Sequence, residues 1–200
     1  EKAVLALAKV QILSGYKVSV LTLKGKLELK EEFLSAGIEV VSNLVNQHPL
    51  HQILWIRKNN KHFNLVHCHL PRAECIYFLA RASAPFVVTR HNAENFMTFG
   101  PKWLSSMISR TITREASYVI AISKAVKSFL VQSEELYIRS KCKVIYYGIE
   151  KDTSASKSGG SNNINRILKV GTIARLVPQK NLSLLLHILK HAHELGYLFK

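Results

Sequence analysis

Along this chain the apolar positions switch repeatedly between two spacings. Over 4–13 they recur at helical intervals, and Gly15 closes the run; "KVSVLTL" (17–23) then reads as extended. A short helix over 28–35 ends at Gly37, and "IEVV" (38–41) gives the next strand. Further on, helices are predicted at 50–58, 72–82, 102–116 and 124–136. Between and after them lie strands at 65–69, 86–89, 118–123 and 143–147. The strands are short and apolar on both faces, as strands covered by helices on both sides are. Such alternation predicts an α/β fold with a parallel, doubly wound sheet.

The composition changes at "EKDTSASKSGGSNNIN" (150–165), which has almost nothing to bury and reads as a linker or long surface loop. After it, "RILKVGTIA" (166–174) predicts a strand and 179–195 a helix, the start of a second α/β domain. The expected organisation is a first domain over 1–149, a linker over 150–165 and a truncated second domain over 166–200. The chain opens "EKAVLALAKV", without Met and already helical, and closes as a further strand begins. Both ends are therefore expected to be cuts from a longer protein.

Charge narrows the partners. Lys and Arg number 28 against 13 acids, a net charge of +15. That field favours anionic partners such as nucleic acid, phosphorylated substrates or acidic lipid. A basic nucleic-acid-binding module is one reading of it. Against that reading, no helix-turn-helix, RRM or KH pattern occurs, nor any basic run interleaved with aromatics, so no nucleic-acid partner is expected. Cys68, Cys75 and Cys142 form no CxxC pair and no even framework, which suits a reducing compartment. No apolar run approaches the roughly 18 residues of a membrane span, and no signal peptide is visible. A cytoplasmic location is the expectation.

In open α/β sheets ligands bind beyond the carboxyl ends of the strands. There the sequence places His69, Pro71 and Arg72; then Arg90, His91, Asn92 and Glu94; then Ser123; then Gly148. His67 and His69 share a strand face. With His91 they would make a metal site, completed by Glu74 or Glu94 and supporting a hydrolase. The competing reading makes His67 a packed core residue and His69 the functional imidazole. The sole Asp, Asp152, lies in the linker, and neither GxGxxG, a P-loop nor Asp-x-Asp is present. One further device is visible in "ARLVPQKN". Pro178 at a first helical turn, flanked by Arg175 and Lys180, sets two cations beside free N–H groups and a helix dipole. Without a metal, such fixed charges must neutralise a diphosphate leaving group.

The blocks "LVHCHLPRAECIYFLARASAPFVVTRHNAENF", "VIAISKAVKSFL", "KVIYYGIE" and "VGTIARLVPQKNLSLLL" occur in an order that resembles retaining glycosyltransferase family 4, group 1, of GT-B architecture. The resemblance implies two Rossmann-like domains, the first binding an acceptor and the second a nucleotide-diphosphate sugar. It would put the missing first strand just before Glu1. It implies that Arg175 and Lys180 grip the donor diphosphate and that His69 is the catalytic residue, near the transferred sugar. Arg90, His91, Asn92 and Glu94 would line the acceptor side, with Ser123 also in the cleft and Gly148 at the domain hinge. Transfer would retain anomeric configuration, with no metal and no cofactor beyond the nucleotide sugar itself, onto a glycan or lipid-linked acceptor. The chain departs from the family where Tyr147 replaces the usual Asn, Glu150 the Asp, and Asn181 the Gly after Lys. It also lacks the family's Glu-x7-Glu segment, so these 200 residues are expected not to turn over substrate.

The segment 102–116 adds one expectation. Leu104, Ile108 and Ile112 predict a buried stripe. Beside it, Trp103, Met107, Arg110 and Arg114 make an apolar-then-basic line that suits an anionic membrane surface and a peripheral inner-face location.

Overall fold

A computed structural model describes residues 1–97, 99–148, 169–174 and 176–197, with Gln179 described in its backbone alone. The chain divides into two compact units, Glu1–Lys151 and Asp152–Lys200.

In the first unit, helices and strands alternate as α1 (Lys2–Leu13), β1 (Ser19–Leu21), α2 (Lys30–Ser35), β2 (Glu39–Val41) and α3 (Pro49–Asn59). They continue as β3 (Val66–His69), α4 (Pro71–Ala80), β4 (Phe86–Arg90), α5 (Lys102–Glu115), β5 (Tyr118–Ala121), α6 (Lys124–Gln132) and β6 (Cys142–Val144). β1 and β2 pair in one sheet; β3, β4, β5 and β6 lie in that order in another, and every pairing is parallel. Helices flank these sheets in the Rossmann-like α/β manner. α3 packs on α4, α4 on β3 and α5, and α6 on β5 and β6.

The local chemistry explains the boundaries. Gly15, at φ +87°, turns the chain out of α1 while its N–H bonds Ile12 O at 2.9 Å. Pro49 starts α3, and the His48 ring accepts a hydrogen bond from Leu50 N at 3.3 Å. α6 stops well before the expected 136. Glu134 takes a left-handed conformation, φ 54°, and Glu135 N bonds back to Leu130 O at 3.0 Å, closing a Schellman-type end. That turn sends the Glu135 side chain inward. β1 and β6 are shorter than their apolar runs, because a strand lasts only as far as its neighbour pairs with it.

One apolar core, including Val88, Val119, Ile112 and Leu130, surrounds the four-stranded sheet. A smaller one joins Leu5, Ala8, Phe33 and Ile38 beside β1 and β2. Phe33 is 1% exposed, and burying such a ring contributes about 2–3 kcal/mol. The buried stripe of α5 differs from expectation. Ser105, Ser109, Ile112 and Thr113 face inward, whereas Leu104 and Ile108 are only partly covered.

In the second unit, Pro178 opens a 3-10 turn, Pro178–Lys180, rather than the α-helix itself. Asn181 follows in the left-handed conformation, φ 43° and ψ 47°, which Asn tolerates better than most residues, and α7 runs Leu182–Glu194. Residues 169–174 of the expected strand form no strand; a parallel ladder needs a partner, and the described residues of this unit supply none. The linker 150–165, residues 166–168 and Arg175 lie outside the described residues.

Candidate functional site

The carboxyl end of the four-stranded sheet gathers the unusual chemistry of the first unit. In the parallel register His67 stands beside Val87 and His69 beside Thr89, so His67, His69 and Thr89 occupy one face. His67 Nε2 lies 2.6 Å from Thr89 Oγ1, and the His67 and His69 rings are 4.1 Å apart centre to centre. His69 Nδ1 meets His91 Nε2 at 3.1 Å, and His91 Nδ1 meets the Tyr147 hydroxyl. A continuous chain of side chains thus runs from β3, through the end of β4, to the segment after β6.

Burial keeps these rings neutral. It pulls His67 down to about 4, helped by His91, and His69 down to about 3, helped by His67 and His91. His91 is lowered by the same cause, and burial raises the Tyr147 phenol. His67 Nε2, His69 Nδ1 and both His91 nitrogens are spent on neighbours instead of converging on a point. Among the described residues no group of three or more His, Cys, Asp or Glu side chains is disposed to hold a metal ion.

The backbone leaving this edge is strained. Leu70, between His69 and Pro71, adopts φ 74° and ψ 149°, a region nearly reserved for glycine. The next helical residue, Arg72, is held from behind. Gln52 is fully buried, donates to Leu23 O at 2.7 Å and Leu44 O at 2.8 Å, and accepts from Arg72 Nη2 at 3.0 Å. Two loops that follow β1 and β2 therefore fix the orientation of an arginine on α4.

The remaining expected residues are placed differently. Arg90 does not reach the open edge. It points to the other face of β4, 5% exposed, with its Nη2 2.8 Å from Glu74 Oε2 and its Nη1 3.6 Å from Glu135 Oε2. Its guanidinium also lies 4.5 Å above the Phe96 ring and donates to Ser109 Oγ at 3.0 Å. Glu135 is fully satisfied, accepting from Phe96 N at 2.9 and 3.1 Å and from Ser105 Oγ at 3.4 Å. Glu74 is not. Its carboxylate rests on the close Arg90 ion pair, with no backbone N–H or hydroxyl donor to it among the described residues. Burial accordingly raises the Glu74 carboxyl to about 7, with Arg90 opposing and Glu135 adding to the rise. Ser123 caps α6, accepting from Val126 N at 3.2 Å. Asn92 and Glu94 are exposed on the loop after β4, and Gly148 lies in open space. Lys180 is exposed at the end of the 3-10 turn, one residue before the Asn181 cap of α7.

Burial, then Glu74, raises Cys68 to about 12 and Cys75 to about 11, so neither is a thiolate nucleophile. Thr89, Tyr147, Gln52 and Glu135 escape a sequence reading. Only the two-residue spacing of β3 and β4 signals Thr89, and nothing local signals the other three.

The family model for Glycosyltransferase Family 4 matches residues 1–153, which contain this whole edge. The chain belongs to glycosyltransferase family 4. No curated protein matches it. Among solved structures, this family 4 chain resembles Anabaena Alr3699/HepE in crystals with UDP and glucose (TM-score 0.65, 21% identity) and with UDP alone (0.67, 21%). A third crystal of that protein, with UDP-glucose, gives 0.66 at 22% identity. The matches cover 94% of this chain and 53–54% of the HepE chains, so the chain spans about half their length. At that identity the likeness establishes the shared GT-B-type fold.

Proposed function

We propose that the protein to which this chain belongs moves a sugar from a nucleotide-diphosphate donor to a glycan or lipid-linked acceptor, retaining anomeric configuration and using no metal. The observation that carries this reading is the family match over residues 1–153, with His69 held neutral at the carboxyl edge within it. HepE crystals with UDP and UDP-glucose support a nucleotide sugar as the partner. In this reading residues 1–149 form the acceptor-side domain, 150–165 the linker and 166–200 the start of the donor-side domain. His69 faces the transferred sugar. His91, Asn92 and Glu94 border the acceptor, with Ser123 behind them, while Arg90 braces their loop from the interior. Gly148 serves the hinge. Arg175 and Lys180 absorb the charge that develops on the departing diphosphate.

The test is sugar transfer by the full-length protein. Arg175→Ala with Lys180→Ala, and His69→Ala separately, should each lower kcat by about a hundredfold or more. Unchanged turnover in both would refute the reading. The present 200 residues alone should transfer nothing.

An anionic membrane face fits the same reading and a peripheral, cytoplasmic location. Trp103 and Met107 are 67% and 52% exposed on one line of α5, with Arg110 and Arg114 continuing it. Among the described residues the Arg110 guanidinium meets Glu134 in an exposed ion pair, which gives up little on meeting lipid. Among the described residues no helix is long and apolar enough to cross a membrane. Sedimentation with acidic vesicles should weaken in Trp103→Ser with Met107→Ser; equal binding to neutral vesicles would dispose of the idea.

A further inference from the structure

His69, His91 and Tyr147 are linked end to end, and each link has one proton to place. A neutral imidazole donates through one nitrogen and accepts through the other. The His91–His69 bond therefore has two self-consistent states. If His91 Nε2 carries hydrogen, it donates to His69 Nδ1, and His69 must hold its own proton on Nε2. If His69 Nδ1 carries it, the direction reverses and His69 Nε2 is a bare lone pair. Nothing in the two rings chooses between these states. Tyr147 does, because a phenol is a better donor than acceptor and an imidazole nitrogen is the better acceptor of the two. With the hydroxyl donating to His91 Nδ1, the remaining protons fall into line.

We propose that Tyr147 is a positioning residue for His69: through His91 it fixes the tautomer in which His69 Nε2 bears the proton, so that His69 meets bound donor sugar as a hydrogen-bond donor and not as a base. This rests on the reading that His69 faces the sugar. Burial of both rings supports it, since neutral rings are what make the tautomer matter. Tyr147 itself lies just ahead of the boundary between the two compact units.

Long-range proton–nitrogen NMR of the chain labelled with 15N-histidine distinguishes the tautomers directly, with His69→Asn identifying its signals. In the unaltered chain His69 should show a protonated Nε2 and an unprotonated Nδ1. Tyr147→Phe keeps the ring and removes the proton source; Tyr147 is 45% exposed, so packing should survive. The ratio of His69 tautomers should then move toward Nδ1–H by about fivefold, the weight of one ordinary hydrogen bond. Adding His91→Lys, a side chain that donates and never accepts, should restore the Nε2–H form without the phenol. An Nδ1–H His69 in the unaltered chain, an unmoved ratio in Tyr147→Phe, or failure of the lysine to restore it would each overturn the proposal. The measurement needs no substrate, so it fails independently of the transfer reading. His69→Ala with full transferase activity would remove the sugar contact and leave the tautomer result standing.

Discussion

Glu74 offers the sharpest test of the interior. Its carboxyl titrates near 7 in the folded chain against 4.5 ordinarily, because it is sealed from water and shares the Arg90 guanidinium with Glu135. Between those values the folded chain holds a proton that the unfolded chain has lost. Stability from this group is therefore complete below about 4.5 and disappears as pH rises through 7. At about 1.4 kcal/mol per pH unit, the full loss is about 3 kcal/mol. Glu74→Gln replaces the group with a neutral amide of the same shape that cannot ionise. The variant should match the parent to within about 1 kcal/mol at pH 4.5 and become more stable than it by about 3 kcal/mol at pH 8. Urea denaturation followed by circular dichroism at a series of pH values measures this as a midpoint gap widening by about 1–3 M. The His67 and His69 titrations are common to both chains and cancel. A gap independent of pH would show that the carboxyl is not raised. A gap that narrows with rising pH would mean that Arg90 dominates and holds Glu74 ionised, which would refute the reasoning.

Three further outcomes follow from the same geometry. Arg90→Met strands two buried carboxylates and should cost about 3–5 kcal/mol at pH 8, and visibly less at pH 5, where Glu74 carries its proton; an equal cost at both would contradict the clasp in which Arg90 holds Glu74 and Glu135 together. Gln52→Leu abandons Leu23 O and Leu44 O together and should cost about 2–4 kcal/mol by urea denaturation, with a cost under 1 kcal/mol showing that those carbonyls find other partners. With His67 and His69 depressed to about 4 and about 3, the unfolded chain takes up protons first, so stability should fall as pH drops from 6.5 toward 4. His67→Asn should flatten that fall, and an unchanged slope would show that His67 does not contribute to it.

The alternation of the first unit was legible because short apolar runs and helical spacing are local properties, and the strands fall within a few residues of where those runs place them. The site was legible only as a region. In "TRHNAE" the sequence offers one polar cluster, yet the two-residue period of β4 divides it, sending Thr89 to the histidine face and Arg90 to the opposite one. Glu135 could not be anticipated, since its inward turn depends on the Schellman-type end of α6 one residue earlier. The buried face of α5 misled for a chemical reason. Ser105, Ser109 and Thr113 are spaced four apart, and each hydroxyl both donates and accepts: Ser105 with Glu135 and Met97 N, Ser109 with Glu135 O and Arg90, Thr113 with Arg110 O and Tyr137 N. Hydroxyls so satisfied bury as readily as the Leu104 and Ile108 side chains that an apolar count favours.

The two faces of β4 are nonetheless one device. The loop that begins with His91 is pinned at its far end by the clasp, where Phe96 N donates to Glu135 and Met97 N to Ser105. Asn92 and Glu94 thus ride on a short arch with both feet fixed, one in the histidine chain and one in the buried carboxylate cluster. Such an arch needs little ordering when a ligand arrives, and ordering is the term that most often weakens binding by loops. The foot at Phe96 is only as firm as Glu135, and Glu135 shares its cation with a carboxylate whose charge changes near neutral pH. Deprotonation of Glu74 competes for Arg90 and draws it from Glu135. The order of the 91–97 loop should therefore decline above pH 7 in the parent chain and not in Glu74→Gln, which amide exchange at Phe96 and Met97 would read directly.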